Sequence, residues 1–209
     1  IVLVAQISSS GHVSGQLGYE TNVFLNPAIL EQDEEILEQA DLWDNGTFQG
    51  LSLHHTLKAR YGDHKLKLIT NGSIARYQTE LDANRYTYDL GFSYRSKFAP
   101  KKYIEFSPLL NRVNRDGINL ANAVIRTPFS FTMLTVPLHL DFYLGQKTWL
   151  KTEGGYRYKR YDRSNGESLH YTAPFLNMQL SKKWVSDRST QKLTLRTAYM
   201  WRTYQELAL

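Results

Sequence analysis

The chain has 209 residues, of which 42% are apolar and 13% aromatic, with a net charge of +5 and no cysteine. This length suits one domain, and the lack of cysteine excludes a disulfide framework, a thiolate nucleophile and a cysteine-based metal site. No run approaches the roughly 18 consecutive apolar residues of a membrane helix. The basic residues are dispersed instead of clustered, so we expect no nucleic-acid binding.

The first residues, 1–5 (IVLVA), followed by Gln6, resemble the end of a signal peptide and its cleavage site. On this interpretation the protein is exported. The alternative interpretation is that residues 1–7 form a strand, and the sequence leaves both open.

Apolar and polar residues then alternate with a period of two along most of the chain, which is typical of strands whose two faces meet different environments. In 85–98, for example, Tyr86, Tyr88 and Leu90 fall on one face, and Thr87 and Asp89 fall on the other. About nine such segments occur, at 13–23, 51–60, 64–77, 85–98, 102–111, 130–144, 148–161, 168–181 and 192–202.

The length of these segments predicts the fold class. Strands of soluble proteins average about five to six residues, whereas a tilted strand needs about nine to eleven to cross a bilayer. The connections also alternate, with 25–47 and 112–128 long and 61–63 and 145–147 tight. We therefore predict one all-β domain over 1–209, an antiparallel up-and-down transmembrane β-barrel of about eight to ten strands with long outer loops and short periplasmic turns.

An odd number of strands is unusual, because single-chain bacterial barrels generally have an even number. We therefore expect one more strand. It is either hidden in this sequence, with residues 1–7 as a candidate, or supplied by a further part of the chain.

Two long connections are candidates for contact with partner proteins. In the acidic segment 25–47, apolar residues at approximately helical spacing predict a short amphipathic helix, with a solvated loop as the alternative. In 112–128, Asp116-Gly117 predicts a turn, and we expect the segment to contain a short extra strand pair. The residues we expect to dock a partner are Glu31, Asp33, Glu34, Glu35, Trp43, Arg115 and Asn119.

The run Gly18-Tyr19-Glu20-Thr21-Asn22-Val23-Phe24 resembles the opening strand of a broad group of Gram-negative outer-membrane β-barrel proteins. That group includes porin-like barrels and barrels attached to secretion or export machinery. The resemblance covers seven positions and implies a location in the bacterial outer membrane, in contact with its lipid. It implies no catalytic residue and no cofactor.

The alternation predicts that charged residues of both signs face the lumen. In a barrel of this size side chains fill the interior, so we expect a packed polar core, with a narrow pore for small anions as the alternative. The predicted lumen residues are Lys58, Arg60, Asp89, Arg95, Glu105, His139, Asp141, Lys151, Glu153, Arg157, Lys159, Lys192, Arg196 and Arg202.

One segment bears on catalysis. Asp162-Arg163-Ser164-Asn165-Gly166, with His170 nearby, resembles the His-x-Ser-Asn-Gly segment of outer-membrane phospholipases and a similar segment of lipid A deacylases, in which the His activates the Ser. Here Asp162 occupies the position of that His, and Asn165-Gly166 favours a tight turn. We predict no enzyme activity, and a lipid hydrolase that uses Ser164 and His170 is the alternative.

The histidines predict no metal site. His54 and His55 are adjacent in a strand and point to opposite faces, so they do not form a chelating pair. His139 and Asp141 share a face and suit pairing with each other or with a metal, but no third ligand lies at nearby spacing.

These features predict an envelope component that acts as a small channel or as a subunit that docks other envelope proteins. A soluble lipocalin-like carrier, with its apolar residues lining the cavity, is a further alternative.

Overall fold

The computed structural model describes residues 5–21, 29–32, 35–38, 45–78, 84–119, 124–128, 130–162, 170–185 and 189–204. All regular structure in these ranges is strand, which confirms the predicted all-β class. No helix within them is long and apolar enough to span a bilayer. The strands are β1 (Gln6–Glu20), β2 (Ile29–Gln32), β3 (Glu35–Glu38), β4 (Gly46–Tyr61), β5 (His64–Tyr77), β6 (Arg85–Ala99), β7 (Lys102–Phe106), β8 (Leu109–Asn114), β9 (Asp116–Asn119), β10 (Val124–Pro128), β11 (Phe131–Gly145), β12 (Thr148–Tyr161), β13 (Tyr171–Val185), β14 (Thr190–Met200) and β15 (Thr203–Tyr204).

Eleven of these strands form one antiparallel sheet in the order β1-β4-β5-β6-β7-β11-β12-β13-β14, with β8 pairing β6 and β11, and β15 pairing β13. The order of the strands in the sheet follows their order along the chain. This is the predicted up-and-down order. Each of the nine predicted segments overlaps a strand of this sheet, and Gln6 and Ile7 belong to β1 instead of forming a strand of their own. Residues 1–4 lie outside the described ranges.

The predicted strand 102–111 is divided into β7 and β8 at Ser107 and Pro108. Proline has no N–H to donate to a ladder, so regular pairing stops there. Both pieces lie between β6 and β11, and the Pro108 carbonyl still accepts a hydrogen bond from the Phe92 N–H at 3.0 Å.

The two ends of the sheet differ in their connections. At one end, which we call the tight-turn end, short connections join β4 to β5, β6 to β7, β11 to β12 and β13 to β14. At the other, the long-connection end, the chain passes through the β2–β3 and β9–β10 pairs. Positive φ angles at Gly62, Lys101, Gln146 and Lys147 close three of the tight turns.

The predicted helix in the acidic segment is wrong, because β2 and β3 form an antiparallel pair in which Leu30 is opposite Leu37. An isolated helix shorter than about 12–15 residues is marginal in water, whereas two four-residue strands separated by two residues match a hairpin. The predicted extra strand pair is confirmed by β9 and β10, but the predicted turn at Asp116-Gly117 is wrong, because both residues lie in β9 and pair with β10.

The two faces of the sheet differ in exposure. The face with apolar side chains is the more exposed one, which is the reverse of the arrangement in a soluble protein. One face, which we call the apolar face, carries exposed side chains such as Leu90, Leu134, Leu138 and Leu144, the last of which is 59% exposed. On the opposite, polar face, side chains such as Asp89 are half-buried and Thr56 and Ser181 are buried. The apolar side chains of the described residues that are buried, Ala75, Tyr77, Tyr171, Ala173 and Phe175, lie on this same polar face.

Contacts across several strands show that the polar face is concave. Glu20 on β1 accepts a hydrogen bond from Arg85 on β6 at 2.8 Å, although β4 and β5 lie between those strands. Three strand spacings amount to about 14 Å on a flat sheet, and a curved sheet brings the two side chains closer together.

Gly155 marks a close approach on this face. A Cβ at this position would lie 2.5 Å from the Val136 carbonyl oxygen and 2.8 Å from the Phe175 ring. The missing side chain leaves room for that ring, which packs into the polar face.

Candidate functional site

The middle of the polar face contains a charged network centred on Arg95. Its guanidinium pairs with Asp141 at 2.9 Å and with Glu105 at 3.4 Å, and it lies over the Tyr103 ring at 4.6 Å. Ser93 also donates to Glu105 at 2.7 Å. The residues come from three adjacent strands, β6, β7 and β11, whose register places them side by side.

A second network is formed mainly by amides. Asp89 accepts hydrogen bonds from Asn71 at 3.2 Å and from Asn111 at 2.5 Å, and Asn71 bonds in turn to His54. Farther along the same face, between β12 and β13, Asn177 donates to Glu153 at 3.1 Å. These bonds satisfy charged and polar groups in the half-buried part of the face.

A cavity of about 470 Å³ adjoins the Arg95 network. Its lining comes from strands β6, β7, β11, β12, β13 and β14 and carries both signs of charge. The lining includes Arg95, Glu105, His139, Asp141, Lys151, Glu153, Gln179 and Arg196.

Ion pairs also hold the long-connection end. Glu20 accepts hydrogen bonds from Arg85 and from the Tyr77 hydroxyl, and Arg112 donates to both carboxylate oxygens of Asp162, one of them at 2.6 Å. The hydrogen bonds from Arg112 hold the pKa of the Asp162 carboxyl below its usual range.

Basic side chains near this end also lie on aromatic rings. Lys159 Nζ is 3.7 Å from the Phe131 ring centre and 4.6 Å from that of Tyr161, and Arg202 lies over the Tyr171 ring at 5.2 Å. Such contacts stabilise cations that are partly removed from water.

The tight-turn end is different, because like charges face each other across strands. Lys58 is opposite Lys67, Arg60 is opposite Lys65, and Lys183 is opposite Lys192. Directly opposed like charges destabilise a sheet by a few tenths to about 1 kcal/mol. The one acidic residue of these turns that forms an ion pair within the described ranges, Asp63, pairs with Lys97 at 3.9 Å.

The structure brings the predicted lumen residues onto one face. Register places Lys58, Arg60, Asp89, Arg95, Glu105, His139, Asp141, Lys151, Glu153, Arg157, Lys159, Lys192 and Arg196 at polar-face positions, and Arg202 follows β14. Their use as a lumen lining stays a prediction.

The predicted docking residues lie at the long-connection end where they are described. Glu31 is in β2, Glu35 is in β3 and Asn119 is in β9, whereas Asp33, Glu34 and Trp43 lie outside the described residues. Arg115 is half-buried, and its backbone N–H donates to Ser130 Oγ at 3.2 Å.

The histidines have local partners. His54 bonds to Asn71 on β5, whereas His55 bonds to Ser9 on β1, as expected of opposite faces. His139 and Asp141 share a face but bond elsewhere, His139 to Ser107 at 2.9 Å and Asp141 to Arg95. Within the described ranges no group of three or more His, Asp or Glu side chains is arranged to hold a metal ion.

Of the segment considered for catalysis, only the flanking residues are described. Asp162 pairs with Arg112, and the His170 ring accepts a hydrogen bond from the Tyr161 N–H at 3.1 Å. Ser164 lies outside the described residues, so the hydrolase alternative stays a hypothesis.

Sequence reasoning missed the partners that make these networks. Arg112, Glu20, Asn71 and Asn111 each bond to a residue far along the chain, and only the strand register brings them together. Continuing the alternation through the polar uncharged positions would have placed Asn71 and Asn111 on the same face.

No protein-family model, no curated protein and no solved structure matches this chain.

Proposed function

We propose that the chain forms a membrane-embedded β-barrel of the Gram-negative outer membrane that acts as a small channel. The observation that carries the proposal is the exposed apolar face opposite a concave polar face. Exposure of a continuous apolar surface of this kind to water is energetically unfavourable, whereas exposure to lipid is not. A soluble lipocalin-like carrier needs the reverse arrangement.

The distribution of aromatic residues on the apolar face supports this assignment. Tyr and Trp lie towards the long-connection end and again towards the tight-turn end, with residues that lack a polar ring atom between them, as on β6, where Leu90 and Phe92 separate Tyr88 from Tyr94. Membrane barrels carry such aromatic girdles at both interfaces. The exposed members are Tyr19, Tyr86, Tyr88, Tyr156, Tyr199 and Trp201 at one end and Tyr61, Tyr94, Phe98 and Trp184 at the other.

Strand length fits the same proposal. Strands β4, β5, β6, β11, β12 and β13 have 14 to 16 residues, more than the roughly nine to eleven that a tilted strand needs to span the hydrocarbon core. Their ends would therefore extend beyond the hydrocarbon on both sides.

The proposed ring closes between β1 and β14, the edges of the described sheet. Both strands run from the tight-turn end to the long-connection end. Direct pairing between them would be parallel, whereas one strand running the opposite way between them would keep the ring antiparallel throughout.

The charged lining supports a channel role. The cavity beside Arg95 is lined by both signs of charge, and at the tight-turn end of the same face basic residues lie opposite one another, Lys58 to Lys67 and Arg60 to Lys65. A narrow passage with this lining favours small anions over cations. Docking of another envelope protein is the second candidate, because the β2–β3 and β9–β10 pairs both lie at the long-connection end.

Reconstitution tests the proposal. The protein refolded in detergent is mixed with phosphatidylcholine vesicles, floated on a density gradient and examined in planar bilayers under a KCl gradient. We expect co-flotation resistant to carbonate, and small conductance steps whose reversal potential shows chloride preference. A protein that stays monodisperse without detergent and does not float with vesicles contradicts the membrane assignment, and insertion without conductance favours docking.

A further inference from the structure

A second cavity, of about 690 Å³, lies at the tight-turn end of the polar face, between strands β11 and β14. It is separate from the Arg95 network and shares none of its lining with the cavity there. Ligand pockets for small molecules commonly enclose about 300–1,000 Å³. The cavity is therefore large enough for a compact organic ligand.

The charge of the lining is of one sign. Lys147, Lys182, Lys183 and Lys192 line the cavity, and no Asp or Glu is among the described residues that surround it. The Lys182 ammonium does not face the cavity, because this residue has the register of the apolar face, opposite Leu193, and its Nζ lies 5.4 Å from the Trp184 ring. Lys183 and Lys192 are directly opposite each other on β13 and β14. Because adjacent ammonium groups repel, an anion bound between them would remove a cost that the empty cavity carries.

An aromatic wall adjoins these lysines. The rings of Tyr143 and Trp149 lie 4.8 Å apart at an interplanar angle of 58°, and both line the cavity. The Tyr143 hydroxyl accepts a hydrogen bond from the Lys147 N–H at 3.1 Å, and Lys101 Nζ lies 4.1 Å from the Tyr143 ring centre. These two contacts orient the ring, and a flat apolar group can pack against it.

The floor of the cavity is polar and ordered. Ser181 is buried, with its hydroxyl bonded to Thr194 at 3.2 Å and to the Gln179 amide at 3.1 Å. The backbone N–H of Lys183 donates to the Lys147 carbonyl at 3.1 Å, which holds the β11–β12 turn against β13. The β11–β12 turn and strand β13 thus have fixed positions relative to each other.

We propose that this cavity binds a small organic anion that joins a phosphate, sulfonate or carboxylate group to an aromatic ring. The anionic group lies between Lys183 and Lys192, and the ring packs on Tyr143 and Trp149. The inference rests on the proposed function only in taking the polar face as the inside of a barrel, where such a solute would pass.

Phenyl phosphate is the probe, with inorganic phosphate and benzylammonium as comparisons, in calorimetric titrations of the detergent-refolded protein. We expect saturable binding of phenyl phosphate, weaker binding of inorganic phosphate and none of benzylammonium. The double variant Lys183→Gln/Lys192→Gln should weaken phenyl phosphate binding about tenfold or more, because it removes two charged hydrogen-bond donors.

The matched control is Lys65→Gln/Lys67→Gln, which removes two charges from the same face and the same end but outside the cavity. Its affinity should stay within about twofold of the parent, since more distant charges are largely screened. Trp149→Leu should weaken phenyl phosphate binding while leaving inorganic phosphate binding unchanged.

Equal weakening by both double variants would overturn the proposal, because it would show a general charge effect. So would absence of binding in a protein that inserts into vesicles. Failure to insert, with binding intact, would contradict the membrane assignment and leave the cavity assignment supported. The two proposals are therefore tested separately.

Discussion

The two ends of the sheet use basic residues in different ways. At the long-connection end Arg85 and Arg112 bond to the carboxylates of Glu20 and Asp162. At the tight-turn end, lysines such as Lys58 and Lys67 face one another. With the single exception of Lys159, every lysine of the chain lies near one of the tight turns.

This difference follows from the chemistry of the two side chains. The arginine guanidinium is a planar fork that matches a carboxylate, whereas the lysine ammonium is a compact, strongly hydrated charge. Arginine is suited to fixed ion pairs with carboxylates. Lysine is suited to a hydrated surface or to binding an anion that can dissociate. We infer that the long-connection end contributes stability and that the tight-turn end is available for ligands.

Removal of Glu20 should have the largest effect on stability. Glu20→Ala leaves Arg85 and the Tyr77 hydroxyl without their acceptor, and the Glu20 and Arg85 side chains are only 24% and 27% exposed. We expect a loss of about 2 kcal/mol in the free energy of unfolding, measured by urea titration in detergent. Lys67→Ala is the control from the other end and should change that free energy by less than about 0.5 kcal/mol. Equal losses would remove the distinction between the ends.

The Arg112–Asp162 pair should have a smaller, pH-dependent effect. Since the folded-state pKa of Asp162 is lowered, its contribution is fully present above the ordinary aspartate pKa of about 3.9 and declines as the pH falls through the folded-state value. Asp162 is 41% exposed, so solvent screening limits the contribution to about 1 kcal/mol. The stability difference between the parent and Asp162→Asn should be visible at pH 7 and vanish at strongly acidic pH. A difference independent of pH would contradict this account.

Reversing one lysine at the tight-turn end should have the smallest effect and the opposite sign. Lys58→Glu places a carboxylate opposite Lys67 and should stabilise the protein by about 0.5 kcal/mol at low salt. The gain should shrink as the salt concentration rises, because residue 58 is exposed and Lys67 is only half-buried. Thermal unfolding at low and at high salt measures the gain in stability and its dependence on salt. Destabilisation at low salt would mean that the lysines do not repel each other.

The alternation of residues was sufficient to predict the main sheet, because side-chain period and strand length are local properties. The predicted positions of strands β4, β5, β6, β11 and β12 agree with the structure to within a few residues. The hairpin of β2 and β3 was missed, since its apolar residues also fit a helical period and short runs do not distinguish the two.

The networks could not be predicted, because they depend on register and curvature. Glu20 and Arg85 are 65 residues apart, and their contact requires the sheet to curve around the polar face. The tight-turn cavity depends on the relative position of two turns, which the sequence pattern does not specify. The division of residues between the faces, by contrast, follows directly from the period of two.

Site-directed labelling tests that division most directly, because the chain has no native cysteine. Single cysteines are placed along β11 at Leu134 and Leu138 on the apolar face and at Thr135 and His139 on the polar face, and each is labelled with an environment-sensitive fluorophore in vesicles. We predict quenching by lipid-borne quenchers at 134 and 138 only, and quenching by aqueous iodide at 135 and 139 only. Lipid quenching at 135 and 139, or aqueous quenching at all four positions, would contradict a membrane-facing apolar surface.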